Sequence, residues 1–561
     1  MNISGKRKLP MHFFQYGGLL LLSIGMLVCL LRFTQKEEEV HSFWSYVIDT
    51  AGSESIVSGM KETEDILKEG SGGLLFDGFE AAYDRERGIF YISQPLSGES
   101  WQGDLRPYGA ELYVLEDDYT GRLSDAVRDG HVFEAMLCRD EEYQKIGIVL
   151  TGIPVVKIDT EREEVQEHPI EDIDNYVFNS ETRYYGDITV FQSGTSALAG
   201  QEKERKSEYQ ILQRKVCYHE RGQNSALFGK KSYAIKFLNH KEKSVAEPVF
   251  GMQRSADWKL LAMYSDPNKI RDKVSMELWK EIAEREKDFN ERGPEMEYCE
   301  VVLDGEYMGL YGMMLPVNED TLELGVNDVL YKIMDWYMPE DAEIQASVDQ
   351  NYEVCYPIRI RYPEKDGSTE KIWEPIREYF SCKYWNLDFK SYSKMSYVEN
   401  LADYYIFIQT VAGFDNYLKN TYISALDIEN EDGYKMVTIP WDLNYTFGNC
   451  YSYDPERNYT EFNADARVNY VEPVLEQLFR SSYNGEAEVL KERWNRYRSG
   501  ILDTEHITEL LRENMDYIQR TGAFSRDTEK WVEALNSSDL SEVEKYVEER
   551  MDYLDEYFAN F

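Results

Sequence analysis

The sequence predicts an α+β chain: a membrane-spanning helix, then a small all-β module, then a larger body that begins in strands and ends in helices. Three observations lead to it. Residues 11–31 form an apolar run without a charged side chain, short strand-like runs alternate with turns from Leu74 to about Leu150, and helical patterns replace strand signals after residue 320. The 561 residues accommodate several units at roughly 100–200 residues per domain.

The first element is the run MHFFQYGGLLLLSIGMLVCLL, long enough to cross a bilayer. Lys6, Arg7 and Lys8 precede it, while Arg32 and Lys36 behind it are diluted by Glu37, Glu38 and Glu39. Basic residues stay on the cytoplasmic side. The expectation is a cytoplasmic segment 1–10, a transmembrane helix 11–31, a polar stalk 32–72, and all later residues outside the cell membrane. A cleaved signal peptide is the rival, but the run exceeds a usual h-region and no small-x-small site follows it.

The second element, over 73–150, contains GIFYISQP, AELYVLEDD, HVFEAML and KIGIVL, spaced as in a small all-β module. Strand signals continue through PVVKIDT, DITVFQ and SYAIKFL. Ser265-Asp266-Pro267 marks a helix start with Pro at the first helical position. Ile270, Val274, Leu278 and Ile282 then line one face. The segment EVVLDGEYMGLYGMML reads as a hairpin turning at Asp304-Gly305. The last helix is expected from Ser541, with Glu544 completing a capping box and Val543, Val547, Met551 and Leu554 on one side.

Composition excludes some functions. Hydrophobic residues make up 42% of the chain, which is incompatible with global disorder. The net charge of −43 repels nucleic acid, so no nucleic-acid partner is expected; basic protein partners suit it better. The 43 Tyr and 10 Trp suit a carbohydrate- or protein-binding surface and a buried β-rich core equally. Cys138, Cys217, Cys299, Cys355, Cys382 and Cys450 lie outside the apolar run without any C-x-x-C, and both disulfides and free buried thiols remain open. H-E-x-x-H, G-x-S-x-G and G-x-x-x-x-G-K-[ST] are absent.

One segment carries more specific chemistry. An apolar helical stretch over 401–412 is followed by a loop with Asp415 and Asn420, a hairpin (TYISAL, YKMVTI), and a second loop with Asp442 and Asn444. Helix, loop, hairpin and acidic loop is the layout of a kinase catalytic segment. A loop Asp orients or accepts the proton of an attacking hydroxyl, and an Asn oxygen with a second Asp holds a cation on phosphates. The same residues suit turn caps and a strand start, so the spacing leaves both readings open. Upstream, KKSYAIKF places Tyr233, Ile235 and Phe237 on one strand face and Lys236 on the other. A-I-K matches the strand lysine that meets nucleotide phosphates. The small-residue stretch Arg221-Gly222-Gln223-Asn224-Ser225 just before it is a loop whose N–H groups can approach phosphate.

Taken in order, RGQNS, KKSYAIKF, DWKLLAMYSDPNKIRDK, VVLDGEYMGLY, GFDNYLKN and PWDLNYTFG resemble the CotH (spore-coat protein H) kinase family, from about Gly152 to the C-terminus. The resemblance implies a divergent two-lobed protein-kinase-like domain, with an N-lobe over 151–320 and a C-lobe over 321–561. It implies phosphorylation of Ser/Thr hydroxyls from ATP with Mg²⁺ or Mn²⁺. Asp415 matches the catalytic Asp, Asp442 the metal Asp and Asn420 the catalytic-loop Asn; Arg271 falls in the family's R-[ND]-K helix start. The cofactor-binding set is then Lys236, Arg221, Asn224, Ser225 and Arg271, with Asn444 a third metal ligand. The sequence departs from the family pattern where Gln223 is inserted into R-G-N-S and where Asn444 replaces the second acid of W-D-L-D. It departs again where Met314-Leu315-Pro316 follows the hairpin in place of a Glu-Lys pair. Glu277 is the candidate partner of Lys236. The expected protein is an extracytoplasmic Ser/Thr kinase acting on secreted or envelope proteins. Its rivals are a pseudokinase or scaffold, motivated by Asn444, and a carbohydrate-binding or adhesion protein, motivated by the aromatic content.

Overall fold

Seven strands, Val155–Glu167, Ser180–Gln192, Gln210–Arg221, Ser232–Leu238, Asp257–Leu261, Glu306–Leu315 and Glu295–Leu303 in spatial order, close into a barrel. The computed structural model that shows this describes residues 42–561, except 49, 95–100, 116–122, 129, 168–179, 193–209, 223, 365–367, 417–418, 453, 455–459 and 470–472. Neighbouring strands are antiparallel, and the barrel closes through a parallel pairing that runs from Val155↔Glu300 to Ile158↔Leu303. Period-two alternation fills the interior with Val156, Ile158, Ile188, Val190, Trp258 and Leu260, all buried. The expected hairpin is present, and Asp304 and Gly305 both have positive φ, 52° and 75°, as a type I′ turn requires.

Before the barrel, residues 42–151 form a seven-stranded sheet and a three-stranded sheet, with short helices Thr50–Val57 and Leu123–Arg128. Residues read as a stalk take part: Phe43 and Ile66 are buried in the same core as Val155, Phe191 and Tyr307 of the barrel. The reason is apolar matching, since Phe43 packs on Trp101 and Phe133 and Tyr91 stacks on Tyr307 at 4.6 Å.

After the barrel, strands and helices interleave. A five-stranded antiparallel sheet has the order Val354–Cys355, Ile358–Tyr362, Val329–Ile333, Thr421–Leu426, Lys435–Pro440. Helix Val398–Val411 is buried on all sides beneath it, and helices Glu486–Arg498 and Ser541–Ala559 pack around that helix.

The fold class and the localisation are corrected. The chain is a mixed α/β protein with many sheets, because short strands over 329–362 join the 421–440 hairpin and break up the expected run of helices. No helix among the described residues is long and apolar enough to cross a membrane, and the single-pass expectation is withdrawn. The 11–31 segment itself lies outside the described residues. Among the described residues the six cysteines form no disulfide. Two helix starts also differ. The helix after Pro267 begins at Arg271, because the Asp266 carboxylate accepts the N–H groups of Asn268, Ile270 and Arg271. Ile270, Val274, Leu278 and Ile282 are buried as expected. At Ser541 no capping box forms: Asp539 accepts the Ser541 N–H, and Glu544 pairs with Arg512 instead.

The helix Ala523–Lys530, which precedes the last helix, is strapped to the barrel by two buried ion pairs, Lys230–Asp527 at 2.7 Å and Arg526–Glu300 at 2.7 Å. Removing one partner strands the other in a low-dielectric interior. Asp527→Ala is therefore expected to destabilise the protein by about 3–5 kcal/mol, read as a lowered urea midpoint with unchanged slope.

Candidate active site

A cleft of about 790 Å³ lies between the barrel and the five-stranded sheet. On the barrel side, Tyr233, Ile235 and Phe237 enter the core, and the alternate residues Ala234 and Lys236 face the cleft. Lys236 is half exposed and pairs with Asp257 at 3.2 Å. The expected partner Glu277 is elsewhere, bound to Lys273 at 2.9 Å and to the Asn514 amide. Strand register sets Lys236 opposite Asp257 and Ala234 opposite Lys259, so Lys259 shares the cleft face one step further in. Burial holds the Lys259 ammonium well below the usual lysine range, Arg221, Arg361 and Lys332 press it lower, and Asp257 opposes them. Sequence reasoning passed over Lys259; the recoverable signal was that DWKLL and YAIKF are both two-faced strands whose polar positions align. Arg221 and Ser225 line the cleft and Gly222 turns between them with φ 114°. The backbone of Asn224 opens the turn Asn224–Leu227, and its side chain lies outside the described residues.

On the other side the two acidic loops are stitched together. Asn416 Nδ2 donates to Trp441 O at 2.6 Å and Trp441 N–H donates to Asn420 O at 2.9 Å. Phe414 N–H donates to Tyr445 O at 3.1 Å, and Tyr404 Oη holds Asn416 O at 2.6 Å. Asn416 is a positioning residue that the sequence analysis did not single out. Asn420 and Asp442 both adopt left-handed backbone, φ 55° and 58°, a conformation that Asn and Asp tolerate better than most residues. Such strain persists where surrounding bonds fix it. Asn420 Nδ2 donates to Asp415 Oδ2 at 2.8 Å, and Lys419 Nζ lies 3.0 Å from the same oxygen. Asp415 is buried, and its carboxyl is pushed up to about 6, chiefly by that burial, with Lys419 acting in the opposite direction.

The structure brings Asp415, Asn420, Asp442, Asn444, Lys236, Arg221 and Ser225 to one cleft. It does not bring Arg271 there: its guanidinium is buried on Asp266, Asn268 and Thr446 O. Arg271 thereby fastens the barrel-side helix to the loop that carries Asp442, and Ser275 adds a contact to Thr446 Oγ1 at 3.1 Å. Asn444 Nδ2 donates to Ser265 Oγ at 3.0 Å, so the residue replacing the second acid is engaged across the cleft. Asp272, also unnoticed in the sequence, lines the cleft and receives the Leu443 N–H; burial first, then Asp442 and Asp266, push its carboxyl up to about 8.

Among the described residues no three His, Cys, Asp or Glu side chains form a cation cage. The oxygen donors of Asp442 and Asn420 suit Mg²⁺ or Mn²⁺ nonetheless, because Mg²⁺ in phosphoryl-transfer sites takes one or two carboxylates and completes its shell with phosphates and water.

The fold and the cleft find their class in a family comparison. Residues 219–555, more than half of the chain, match the family model described as CotH kinase protein. The chain belongs to the CotH kinase family, and its class is that of the kinases. No curated protein matches the chain.

Proposed function

We propose that this cleft transfers the terminal phosphoryl group of ATP to a Ser or Thr hydroxyl of a polypeptide. The observation that supports this most is that Asp415, Asn420 and Asp442 face Lys259 and Arg221 across a single cleft. The Asp415 carboxylate takes the hydroxyl proton as the oxygen–phosphorus bond forms and the bond to the leaving diphosphate oxygen breaks. Lys259, Arg221 and Lys236 offset charge on the phosphate chain. Asn420 commits its nitrogen to Asp415, so its oxygen, with Asp442, is the atom offered to Mg²⁺ or Mn²⁺. That cation, when bound, offsets charge on the phosphoryl oxygens.

The test is the full chain with γ-labelled ATP, Mg²⁺ or Mn²⁺ and protein acceptors. Metal-dependent transfer of label supports the reading. Nucleotide binding without transfer would convert it to a pseudokinase, and neither binding nor transfer would overturn it.

The reading carries a pH dependence. Only the ionised Asp415 accepts a proton, so kcat is expected to fall about tenfold per unit below the inflection near 6 and to level off above it. Lys419 lowers that inflection, so Lys419→Ala should move it to higher pH; kcat profiles between pH 4.5 and 8 test both statements.

A further inference from the structure

We propose that the acceptor is an acidic polypeptide segment, with carboxylates or phosphates within about four or five residues of the modified hydroxyl. The proposal rests on the phosphoryl-transfer reading and names its substrate class.

The face of the five-stranded sheet that lines the cleft is basic. Along two neighbouring strands, Tyr331, Ile333, Ile358 and Ile360 are buried in the core, and Lys332, Arg359 and Arg361 occupy the alternate positions and line the cleft. Lys332 and Arg359 are register partners, and Lys332 is opposite Tyr422 on its other side. Tyr422 lies two residues after Asn420. Strand spacing therefore puts Lys332 roughly 8 Å and Arg361 roughly 15 Å from Asn420. Reacting oxygen and phosphorus approach to about 3–3.5 Å, so Arg361 is far from the transferring group. An extended acceptor advancing about 3.3 Å per residue reaches it within about four or five residues. Arg361 forms no ion pair among the described residues, and it presses on Lys259 from across the cleft. Trp336, exposed at the rim and 5.1 Å from Lys419 Nζ, supplies an apolar ledge beside Asp415.

This face opposes the charge of the chain that carries it. A protein with net charge −43 repels acidic partners over most of its surface. A cleft lined by the other sign concentrates them locally. The barrel side already provides Arg221, Lys236 and Lys259 for a nucleotide, which leaves Arg361, without an ion pair among the described residues, for a second anion.

The experiment uses the purified full chain, ATP, Mg²⁺ and three fluorescent peptides that differ only in the residues flanking one Ser: Glu/Asp, Ala/Gln or Lys/Arg. Binding is measured by anisotropy and transfer by γ-label. The expected result is at least about tenfold tighter binding of the acid-flanked peptide than the neutral one, and weakest binding of the basic one. The gap should narrow in 0.5 M salt. Arg361→Gln and Lys332→Gln should raise KM for the acid-flanked peptide more than KM for ATP. Equal or reversed peptide preference overturns the proposal whatever the ATP turnover, as does a rise in KM for ATP alone, which would give this face to the nucleotide. Acid-selective binding without any phosphoryl transfer removes the kinase reading and leaves an acidic-ligand site.

Discussion

Lys259→Ala is expected to lower kcat/KM for ATP in the proposed reaction by about 10²-fold or more, whereas Lys236→Ala is expected to cost less than about tenfold. The difference follows from placement. Lys236 is 49% exposed and already paired with Asp257, so water and a carboxylate screen much of its charge. Lys259 sits one step deeper on the same face and has no ion-pair partner among the described residues. Burial first, and then three other cations, hold its ammonium down, and an arriving phosphate offsets that penalty. A preorganised charge in a water-poor cleft contributes on the order of 10²–10³ in rate. Steady-state kinetics at varied ATP, with a thermal melt to check folding, decide the point. Equal losses for the two variants would return A-I-K to first place.

In the proposed reaction, Asp415→Asn is expected to lower phosphoryl transfer by about 10²–10⁴-fold and to leave metal-dependent nucleotide binding in place. Asp442→Ala is expected to remove both. The two are separable because Asp415 bonds Asn420 and Lys419, while Asp442 faces Asp272 in the first turn of the helix that begins at Arg271. Folding controls are favourable for Asp415. Its carboxyl titrates near 6 in the folded chain against an ordinary 3.8, so the folded state loses stability as pH rises through that window and keeps the penalty above it. A neutral amide at 415 escapes the penalty, and the melting temperature at pH 7 should not fall. Calorimetric titration of nucleotide with and without metal reads the binding; full turnover in both variants would return these residues to turn caps.

The catalytic-segment layout was legible because it is local. Helix Val398–Val411, the hairpin and both loops are contiguous in sequence, and turn residues fix each boundary. The strand faces of Tyr233, Ile235 and Phe237 were equally legible from period two. Lys259 and Asp272 were not, because their importance arises from register and from a loop 171 residues away, Asp272 receiving a bond from Leu443. Arg271 misled for the opposite reason. A motif places it at a helix start near the site, yet Asp266 and Asn268, three to five residues before it, capture its guanidinium. The strand at 354–355 is two residues long and becomes a strand by joining a sheet, whereas 358–362 alternates apolar and basic residues with period two, a strand signal that the sequence analysis passed over amid helical patterns.

The strap from Ala523–Lys530 to the barrel bears on how the chain is made. Lys230 precedes Asp527 by 297 residues. At about 5–20 residues per second on the ribosome, Lys230 waits on the order of 15–60 s for its counter-charge. Glu300 waits similarly for Arg526. Throughout that interval the nascent barrel carries a buried ammonium and a buried carboxylate without their partners, so it cannot settle into its final form ahead of the rest. A chain built this way has no finished barrel until the helix Ala523–Lys530 is translated, and premature termination upstream of residue 523 is expected to leave the barrel unsettled.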